Sequence, residues 1–221
     1  MLVDCIVQAR MGSTRLPGKV LMNLNNETLL SSLFEQLKFS KSLNRKIIAT
    51  TTNQEDAVIV DFAKSQSIEI FRGSSSDVLD RYYQCAKSFS LKHIVRITAD
   101  NPLIDPMIID KVIDVYKNEK YDYVNNFTNR TFPYGTEVEV FSFETLEKTW
   151  KEAKAVYDRE HVTPYIYNNP TLFLQKCVES SHNYSNFRWT VDTVDDLNYV
   201  RTISKTKKHP ILMGDIITLK K

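Results

Sequence analysis

A loop near the N-terminus carries the residue types that bind phosphate groups. The stretch VQARMGSTRLPGKVL, residues 7–21, contains two of the chain's five glycines and no acidic residue. Gly12 and Gly18 allow the backbone to approach a ligand closely, and Pro17 stiffens the turn. Positive charge and hydroxyl donors come from Arg10, Arg15, Lys19, Ser13 and Thr14. This composition favours a polyphosphate ligand over a neutral one.

The spacing separates this loop from two familiar nucleotide-binding patterns. A Walker loop reads GxxxxGK followed by Ser or Thr. Here five residues separate Gly12 from Gly18, and Val20 follows Lys19 where a hydroxyl residue would bind magnesium. The Rossmann pattern GxGxxG is absent as well. A Walker NTPase is therefore excluded, and the alternative to a phosphate site is a basic surface turn.

A candidate metal ligand follows another apolar run. Asp100 lies in TADNP, directly after HIVRIT (93–98). Ligands of open α/β sheets bind at the carboxyl ends of strands, and protein-bound Mg²⁺ takes only one or two carboxylates beside phosphate oxygens and water. We therefore predict that Asp100 binds a metal. The alternative is an Asp that caps the helix after Pro102.

Strand and helix patterns alternate along the first half of the chain. Runs of β-branched and apolar residues predict buried strands at 2–9, 46–51, 68–71 and 93–98. Apolar stripes at helical spacing lie between them, with Asn53 as the predicted N-cap of the second helix. This alternation predicts an α/β fold with a mostly parallel central sheet and helices on both faces.

The second half is less regular. Helices are predicted near 106–118, 143–153, 158–168 and 194–206. Further strands are predicted in YDYVNN, TEVEVF, LFLQKCV and FRWTV, and they should add a smaller antiparallel part. No linker, repeat or composition shift marks a boundary. We therefore expect a single domain over 1–221, in which the second half completes a site begun by the first.

Composition argues against several classes of function. The net charge is +2, which gives no electrostatic case for binding nucleic acid. The longest apolar runs are shorter than a membrane span, and the N-terminus does not resemble a signal peptide. The three cysteines are far apart and form no CxxC or Cys/His cluster, so we expect buried free thiols in a reducing compartment. These features favour a cytoplasmic protein.

Several motifs together resemble a known family. QARMGSTRLPGKVL is similar to the N-terminal signature of the cytidylyltransferases that include the CMP-KDO and CMP-acylneuraminate synthetases, and most of all to the branch named for spore coat polysaccharide biosynthesis protein F. Later segments follow in the family's order: DVLDRYY, RITADNPLID, YGTEVEVF, REHVTPYIY and RWTVDTVDDL. The resemblance implies a nucleotide-diphospho-sugar transferase fold. It also implies transfer of CMP from CTP to an acceptor, with release of pyrophosphate.

The resemblance assigns roles to individual residues. Asp100 and Asp192 match two aspartates that bind the metal, expected to be Mg²⁺. Cations on the β- and γ-phosphates would stabilise the leaving pyrophosphate, and a direct in-line attack needs no covalent enzyme intermediate. The implied nucleotide-binding set is Ala9, Arg10, Gly12, Ser13, Thr14, Arg15, Lys19, Arg72 and Asp100, of which Arg10, Arg15, Lys19 and Asp100 would be catalytic. Within it, Arg10 and the backbone at Ala9 would read cytosine, and Arg72 would contact the base or ribose.

The acceptor pocket is expected from the second half. Glu137 and Glu139 alternate along a predicted strand and so share one face, near the acceptor or metal; a solvent-facing pair is the alternative. Arg159 or His161 would bind an acidic acceptor, although a lone His is more often a surface or satisfied core residue. Arg188 is a further candidate for an anion contact.

Two predictions concern helix contacts and assembly. Asp77 and Arg81 are spaced i,i+4, which suits an ion pair on one helix. The alternative is that both residues contribute to the nucleotide pocket. Asp195 and Asp196 are expected to be first-turn acids that favour the dipole of the helix near 194–206. A homodimer formed through the second half is plausible, and exposed aromatic residues in 121–134 would suit it.

Other functions remain as alternatives. A nucleotidyltransferase with another NTP or a phosphorylated acceptor would use the same groups. A nucleotide-sugar-dependent glycosyltransferase would usually present an Asp-x-Asp pattern, and none stands at a predicted strand end. A non-catalytic nucleotide-binding domain would be favoured by loss of the loop cations or carboxylates, which are all present.

Overall fold

Strands from both halves of the chain join one seven-stranded sheet in the computed structural model, which describes residues 1–206 and 208–219. The strands in chain order are β1 (Val3–Gln8), β2 (Asn23–Leu24), β3 (Glu27–Thr28), β4 (Leu43–Thr51), β5 (Glu69–Gly73), β6 (His93–Thr98), β7 (Tyr123–Asn125), β8 (Glu139–Ser142) and β9 (Gln175–Cys177). The sheet order is β5-β4-β1-β6-β8-β7-β9, and β2 and β3 form a separate antiparallel hairpin.

Most neighbouring strands of the large sheet are parallel. β5, β4, β1 and β6 run parallel, and β9 is parallel to β7. β8 runs antiparallel to both β6 and β7, which confirms the antiparallel part expected from the second half. The strand order changes direction between β1 and β6, and open α/β sheets bind ligands at such a point, outside the carboxyl ends of the strands.

Helices cover both faces of the sheet, as predicted. They are α1 (Leu29–Leu37), α2 (Ala57–Ser65), α3 (Val78–Ser88), α4 (Pro106–Asn118), α5 (Phe143–Glu152), α6 (Val156–His161), α7 (Pro164–Tyr167), α8 (Val194–Thr206) and α9 (Met213–Thr218). Side chains alternate along each strand, so Cys5 and Val7 pack with α1, α2 and α4, whereas Ile6 packs with α3, α5 and α7. The first acids of α8 are Asp195 and Asp196, which confirms that prediction.

Three local predictions are wrong. The helix expected over 158–168 is two short helices, because Val162 between them has φ 75° and Pro164 starts α7. FRWTV forms no strand and contributes an isolated bridge between Tyr134 and Arg188. Asn53 makes no capping bond through its side chain, since a 3₁₀ turn at Gln54–Asp56 precedes α2.

A third apolar cluster holds the first loop and the segment around 189–191 against the sheet. Leu16 from the first loop, Trp189 and Val191 are buried together with apolar side chains of the β2–β3 hairpin, α8 and α9. The backbone N–H of Val191 donates to the Asp100 carbonyl at 2.8 Å. Segments far apart in sequence are thereby fixed beside the ends of β1 and β6.

The cysteines agree in part with the expectation of buried thiols. Cys5 and Cys85 are buried, Cys177 is half-buried, and all three are free. Burial raises the pKa of the Cys85 thiol to about 12 and raises that of Cys5 further. Among the described residues, no helix is both long and apolar enough to span a membrane.

Candidate active site

The loop after β1 is held in shape by buried polar contacts. The carbonyl of Met11 accepts the N–H groups of Ser13 and Gly18, each at 2.8 Å, and Gly18 has φ 73°. The N–H of Met11 donates to Asp56 Oδ1 at 2.6 Å, and the other oxygen of this fully buried carboxylate accepts the Thr51 hydroxyl. The loop is therefore a fixed structure anchored to the end of β4.

This anchoring leaves several backbone donors free. Within residues 1–206 and 208–219, the N–H groups of Gly12, Thr14 and Arg15 donate to no protein acceptor. A Cβ atom at Gly12 would lie 2.9 Å from Glu55 Oε1, so a side chain there would force Glu55 to move. Successive free N–H groups beside cations form an anion-binding concavity. The arrangement favours the phosphate site over the alternative of a basic surface turn.

Lys19 brings the two predicted metal ligands together. Its ammonium lies 3.1 Å from Asp100 Oδ2, 3.0 Å from Asp192 Oδ1 and 2.7 Å from the Val191 carbonyl oxygen. All three ammonium hydrogens are thereby used, and Lys19 is only 8% exposed. The carboxylates, which are far apart in sequence, meet here on the cation of a loop side chain that had been expected to hold phosphate.

Asp192 is surrounded by positive charge. Besides Lys19, Arg15 lies 2.8 Å from Oδ1 and Arg188 lies 2.6 Å from Oδ2. Burial raises the pKa of Asp192, but the hydrogen bonds and charges of Lys19, Arg188 and Arg15 outweigh it, and the net pKa is below the ordinary value. Arg188 also bridges to Asp196 at 3.5 Å. Asp192 is therefore a firmly ionised carboxylate.

These groups line one cleft at the carboxyl ends of β1 and β6. Its larger part has a volume of about 280 Å³. It is lined by Gln8, Ala9, Arg10, Ser13, Thr14, Arg15, Lys19, Val20, Thr98, Ala99, Asp100, His161 and Asp192. An adjoining part of about 140 Å³ is lined by Gln8, Ala9, Arg10, Val78, Arg81, Glu160 and His161. Most of the nucleotide-binding set inferred from the sequence thus surrounds a single space.

The donor set in the cleft suits a magnesium ion shared with a ligand. Asp100 Oδ2 and Asp192 Oδ1 converge on one position, and Mg²⁺ prefers such hard oxygen ligands while keeping sites for phosphate oxygens and water. In the described part of the chain, no group of three or more His, Cys, Asp or Glu side chains could hold a metal ion. The convergent oxygens of Asp100 and Asp192 fit a cation whose other ligands would be phosphate oxygens and water.

Arg81 lines the smaller part of the cleft, which favours the nucleotide-pocket alternative over the helix ion pair. It is 1% exposed, one guanidinium nitrogen donates to the Ser74 carbonyl at 2.7 Å, and Nε has no partner among the described residues. Burial lowers its pKa. The predicted pair with Asp77 is wrong, because Asp77 caps α3 and bonds Arg159 at 2.5 Å. The available signal was an arginine within the apolar stripe of α3.

The structure does not bring several predicted residues into the cleft lining. The Arg72 guanidinium donates to the carbonyls of Thr51 and Asn53, each at 2.9 Å. Arg159 is held by Asp77 and the carbonyl oxygen of Trp150. Both guanidinium groups therefore serve local structure at the ends of strands and helices.

The predicted glutamate pair is also divided. Glu139 is 2% exposed and bonds Arg96 and the Tyr123 hydroxyl inside the sheet, so a solvent-facing pair is wrong and this residue does not reach the cleft. Glu137 bonds Arg130 at 2.6 Å and the Gly135 N–H at 2.9 Å. Glu137 does not line the cleft. The side-chain amide of Asn101, the residue after Asp100, donates to Glu137 Oε2 at 3.3 Å.

Two of the acceptor candidates do lie at the cleft. His161 lines both parts of the cleft. Arg188 is not in the lining itself but forms an ion pair with Asp192, which is. The aromatic residues expected to be exposed in 121–134 are divided: Tyr134 is 40% exposed, Tyr121 and Phe127 are half-buried, and Tyr123 and Phe132 are buried. A homodimer stays a prediction.

Comparison with known proteins identifies the family. A sequence model described as Cytidylyltransferase matches residues 5–211, nearly the whole chain. The chain belongs to the cytidylyltransferase family. This cytidylyltransferase-family protein is accordingly a nucleotidyltransferase.

Individual relatives agree with this assignment. The cytidylyltransferase-family chain is 32% identical to spore coat polysaccharide biosynthesis protein SpsF of Bacillus subtilis, over 97% of this chain and 92% of the relative. A solved cytidylyltransferase from Leptospira borgpetersenii is 34% identical, with a TM-score of 0.94 over 98% of this chain and 92% of that one.

A more distant structure confirms the predicted fold. The CMP:2-keto-3-deoxy-manno-octonic acid synthetase complexed with CTP has a TM-score of 0.72 at 13% identity, over 93% of this chain and 99% of that one. The nucleotide-diphospho-sugar transferase fold of this cytidylyltransferase-family protein is therefore confirmed.

Proposed function

We propose that this protein transfers CMP from CTP to a sugar or sugar-like acid and releases pyrophosphate, for the synthesis of a surface polysaccharide. The observation that supports this most directly is the meeting of Asp100 and Asp192 at Lys19, beside a loop with free N–H donors. Nucleotidyl transfer needs the triphosphate charge neutralised while the α-phosphorus stays open to attack. The cleft provides these conditions at one end of the sheet.

The loop side chains would act on the phosphates. Arg10 is exposed at the cleft and forms no ion pair with any described residue, so its guanidinium is available to a ligand. Arg15 has a side chain that is 64% exposed and bound only at its tip to Asp192. Together with the N–H groups of Gly12 and Thr14, these cations would hold the β- and γ-phosphates and stabilise the charge that develops on pyrophosphate.

Asp100 and Asp192 would hold Mg²⁺, which when bound supplies positive charge to the phosphate oxygens. Lys19 would then release the carboxylates and turn its ammonium toward the phosphates. The Val191 N–H bond to the Asp100 carbonyl joins the main-chain segments that carry the carboxylates, and the Met11 N–H bond to Asp56 anchors the loop, so little reorganisation of the main chain is needed at the moment of reaction. No nucleophilic side chain is required, and we expect no covalent enzyme intermediate.

The nucleoside and acceptor would bind on the two sides of the reacting phosphate. The smaller part of the cleft, between Ala9, Val78 and Arg81, would take the base. His161 and Arg188 would face an acidic acceptor, as suits a chain that shares its fold with a CMP:2-keto-3-deoxy-manno-octonic acid synthetase. The likeness to SpsF, named for spore coat polysaccharide biosynthesis, supports a role in a surface polymer.

A pyrophosphate-release assay tests the proposal. The protein is incubated with Mg²⁺, each of the common NTPs and a panel of sugar acids and phosphorylated sugars. We expect release with CTP and a sugar acid, loss of turnover in Asp100→Asn, and normal turnover in Asp114→Asn, a matched change at an exposed carboxylate. No release with any pair would refute the transferase, and release only with another NTP or a phosphorylated sugar would correct the substrate.

A further inference from the structure

Gln8 stands where the two parts of the cleft meet. It is the last residue of β1, in register with Ala49 of β4 and Thr98 of β6, and it lines both parts. Alternation along β1 points its side chain to the face that carries α3, the same face as Ile6. The phosphate-binding role proposed for the loop does not require a glutamine at position 8.

A buried ion pair between Arg96 and Glu139 fixes the position of the Gln8 side chain. Arg96 and Glu139 pair inside the sheet, with side chains 13% and 3% exposed. The Tyr123 hydroxyl donates to Glu139 at 2.6 Å, and the Arg96 guanidinium lies over the Tyr82 ring at 5.7 Å. The second terminal nitrogen of Arg96 donates to Gln8 Oε1 at 3.0 Å.

This contact determines which way the Gln8 amide faces. A guanidinium only donates hydrogen bonds, so the amide oxygen of Gln8 must point to Arg96 and its NH₂ group must point away. In the part of the chain that the structure describes, Gln8 Nε2 has no protein acceptor, and it is not among the buried atoms without a partner. The NH₂ group is therefore presented to the cleft as a fixed donor.

The smaller part of the cleft has the chemistry of a base pocket. Ala9 and Val78 offer apolar surface to a flat ring, and the buried Arg81 also lines this part. Glu160 adds one carboxylate at the rim. Cytosine presents two adjacent acceptors, O2 and N3, beside an amino donor, whereas uracil has a donor at N3.

We propose that the Gln8 amide, oriented by the buried Arg96–Glu139 pair, donates to an acceptor on the pyrimidine edge and selects cytosine over uracil. This inference rests on the proposed function, because it assigns the base specificity of the same nucleotide site. The NH₂ donor of Gln8 matches an acceptor on the O2/N3 edge of cytosine, and Glu160 matches its amino group. Uracil would place its N3–H against a donor and its O4 against a carboxylate, which costs affinity.

The test compares nucleotide affinities of Gln8→Glu with those of the wild type. A carboxylate at position 8 still accepts from Arg96, so the fold is retained, but it presents an acceptor to the base in place of the amide donor. Dissociation constants for CTP, UTP and inorganic tripolyphosphate are measured by calorimetry in Mg²⁺ buffer. We expect the wild type to prefer CTP, and the ratio of CTP to UTP affinity to fall at least about tenfold in Gln8→Glu, in line with the usual cost of one mismatched base contact.

Controls separate this effect from a change in charge or in folding. Tripolyphosphate should bind Gln8→Glu and the wild type alike within about twofold, because the phosphate cradle is unchanged and the added charge lies at the base. Gln66→Glu, the same substitution at an exposed position far from the cleft, should leave all three affinities unchanged. Gln8→Leu, which presents no donor, should weaken CTP binding with little effect on tripolyphosphate.

The affinities distinguish a failure of the Gln8 assignment from a failure of the proposed function. An unchanged CTP to UTP ratio in folded Gln8→Glu, or a wild type that prefers UTP, would overturn the assignment of Gln8 while leaving nucleotidyl transfer intact. A wild type that binds no nucleotide more tightly than tripolyphosphate would overturn the proposed function and the base assignment together.

Discussion

Replacing Lys19 by Met separates the structural role of its ammonium from its role toward phosphate. Met retains much of the apolar stem but removes three contacts, at 3.1, 3.0 and 2.7 Å, from a side chain that is 11% exposed. Removing one partner of a fully buried ion pair costs about 3–5 kcal/mol. Asp100 retains 29% side-chain exposure and Asp192 keeps Arg15 and Arg188, so screening reduces the loss of unfolding free energy to about 2 kcal/mol.

Magnesium should reverse this loss in the variant. In the wild type the ammonium already occupies the position between the carboxylates, so Mg²⁺ alone should change the unfolding free energy little. In Lys19→Met the same oxygens become available, and Mg²⁺ at about a hundredfold excess over its Kd would add about 2.7 kcal/mol. Turnover should nevertheless fall by about 10²–10³, the usual effect of losing one donor to a developing anionic charge.

Urea unfolding of both proteins, with and without Mg²⁺, measures the stability effects, and pyrophosphate release measures turnover. Lys64→Met, at an exposed position of α2, is the matched control and should behave as the wild type in each assay. Equal stabilisation of wild type and Lys19→Met by Mg²⁺ would show that the ammonium does not occupy the cation position. A variant as stable as the wild type without Mg²⁺ would show that the two ion pairs contribute nothing.

Three further predictions concern the fold around the site. Gly135→Ala should lower the unfolding free energy by about 2–4 kcal/mol and reduce turnover, because φ is 101° and the new Cβ would lie 2.7 Å from the Thr190 backbone nitrogen; normal urea curves would contradict this. Glu139→Leu should cost about 3–5 kcal/mol, and adding Arg96→Met should recover at least half of it; a double variant no better than the single would show that the loss is not from the unpaired charge. A thiol reagent at pH 8 should titrate Cys177 alone in the native protein and all three thiols in guanidinium, whereas three fast thiols in the native protein would contradict the burial of the other two.

The parts of the site that are local in sequence could be predicted. The loop at 7–21 shows its cations, glycines and spacing within one stretch, and Asp100 directly follows a strand pattern that matches β6. Continuous β-branched and apolar runs likewise identified the buried strands, because helices cover both faces of the sheet and each strand is apolar on both sides. A residue whose role depends on its own neighbours in the chain is visible to such reasoning.

Residues whose roles depend on distant partners could not be assigned. Arg81 has the spacing of an ion pair with Asp77, but Asp77 bonds Arg159, which comes from a helix 82 residues further on. Glu139 is buried because β8 pairs with β6 in a register that sets it opposite Arg96. Pattern alone contains no information on that register, so a buried ion pair and a solvent-facing carboxylate look the same in sequence.

The charge balance of the cleft argues that metal and nucleotide bind together. Lys19, Arg15 and Arg188 are opposed there by Asp100, Asp192 and Asp196, so the cluster is already neutral. A divalent cation alone would add positive charge and displace an ammonium that has all its bonds made, whereas a triphosphate brings negative charge for both the metal and the released Lys19.

Electron paramagnetic resonance of Mn²⁺, used in place of Mg²⁺, measures this coupling directly. We expect weak Mn²⁺ binding to the free protein and at least about tenfold tighter binding in the presence of CTP, beyond the affinity of CTP itself for the metal. Because coupling is reciprocal, Mn²⁺ should tighten CTP binding by the same factor. The factor should shrink in Lys19→Met, where the metal no longer competes with an ammonium. Equal Mn²⁺ affinity with and without CTP would contradict this coupling. It would mean that Asp100 and Asp192 bind the metal without help from the nucleotide, and that the Lys19 ammonium does not compete with the metal.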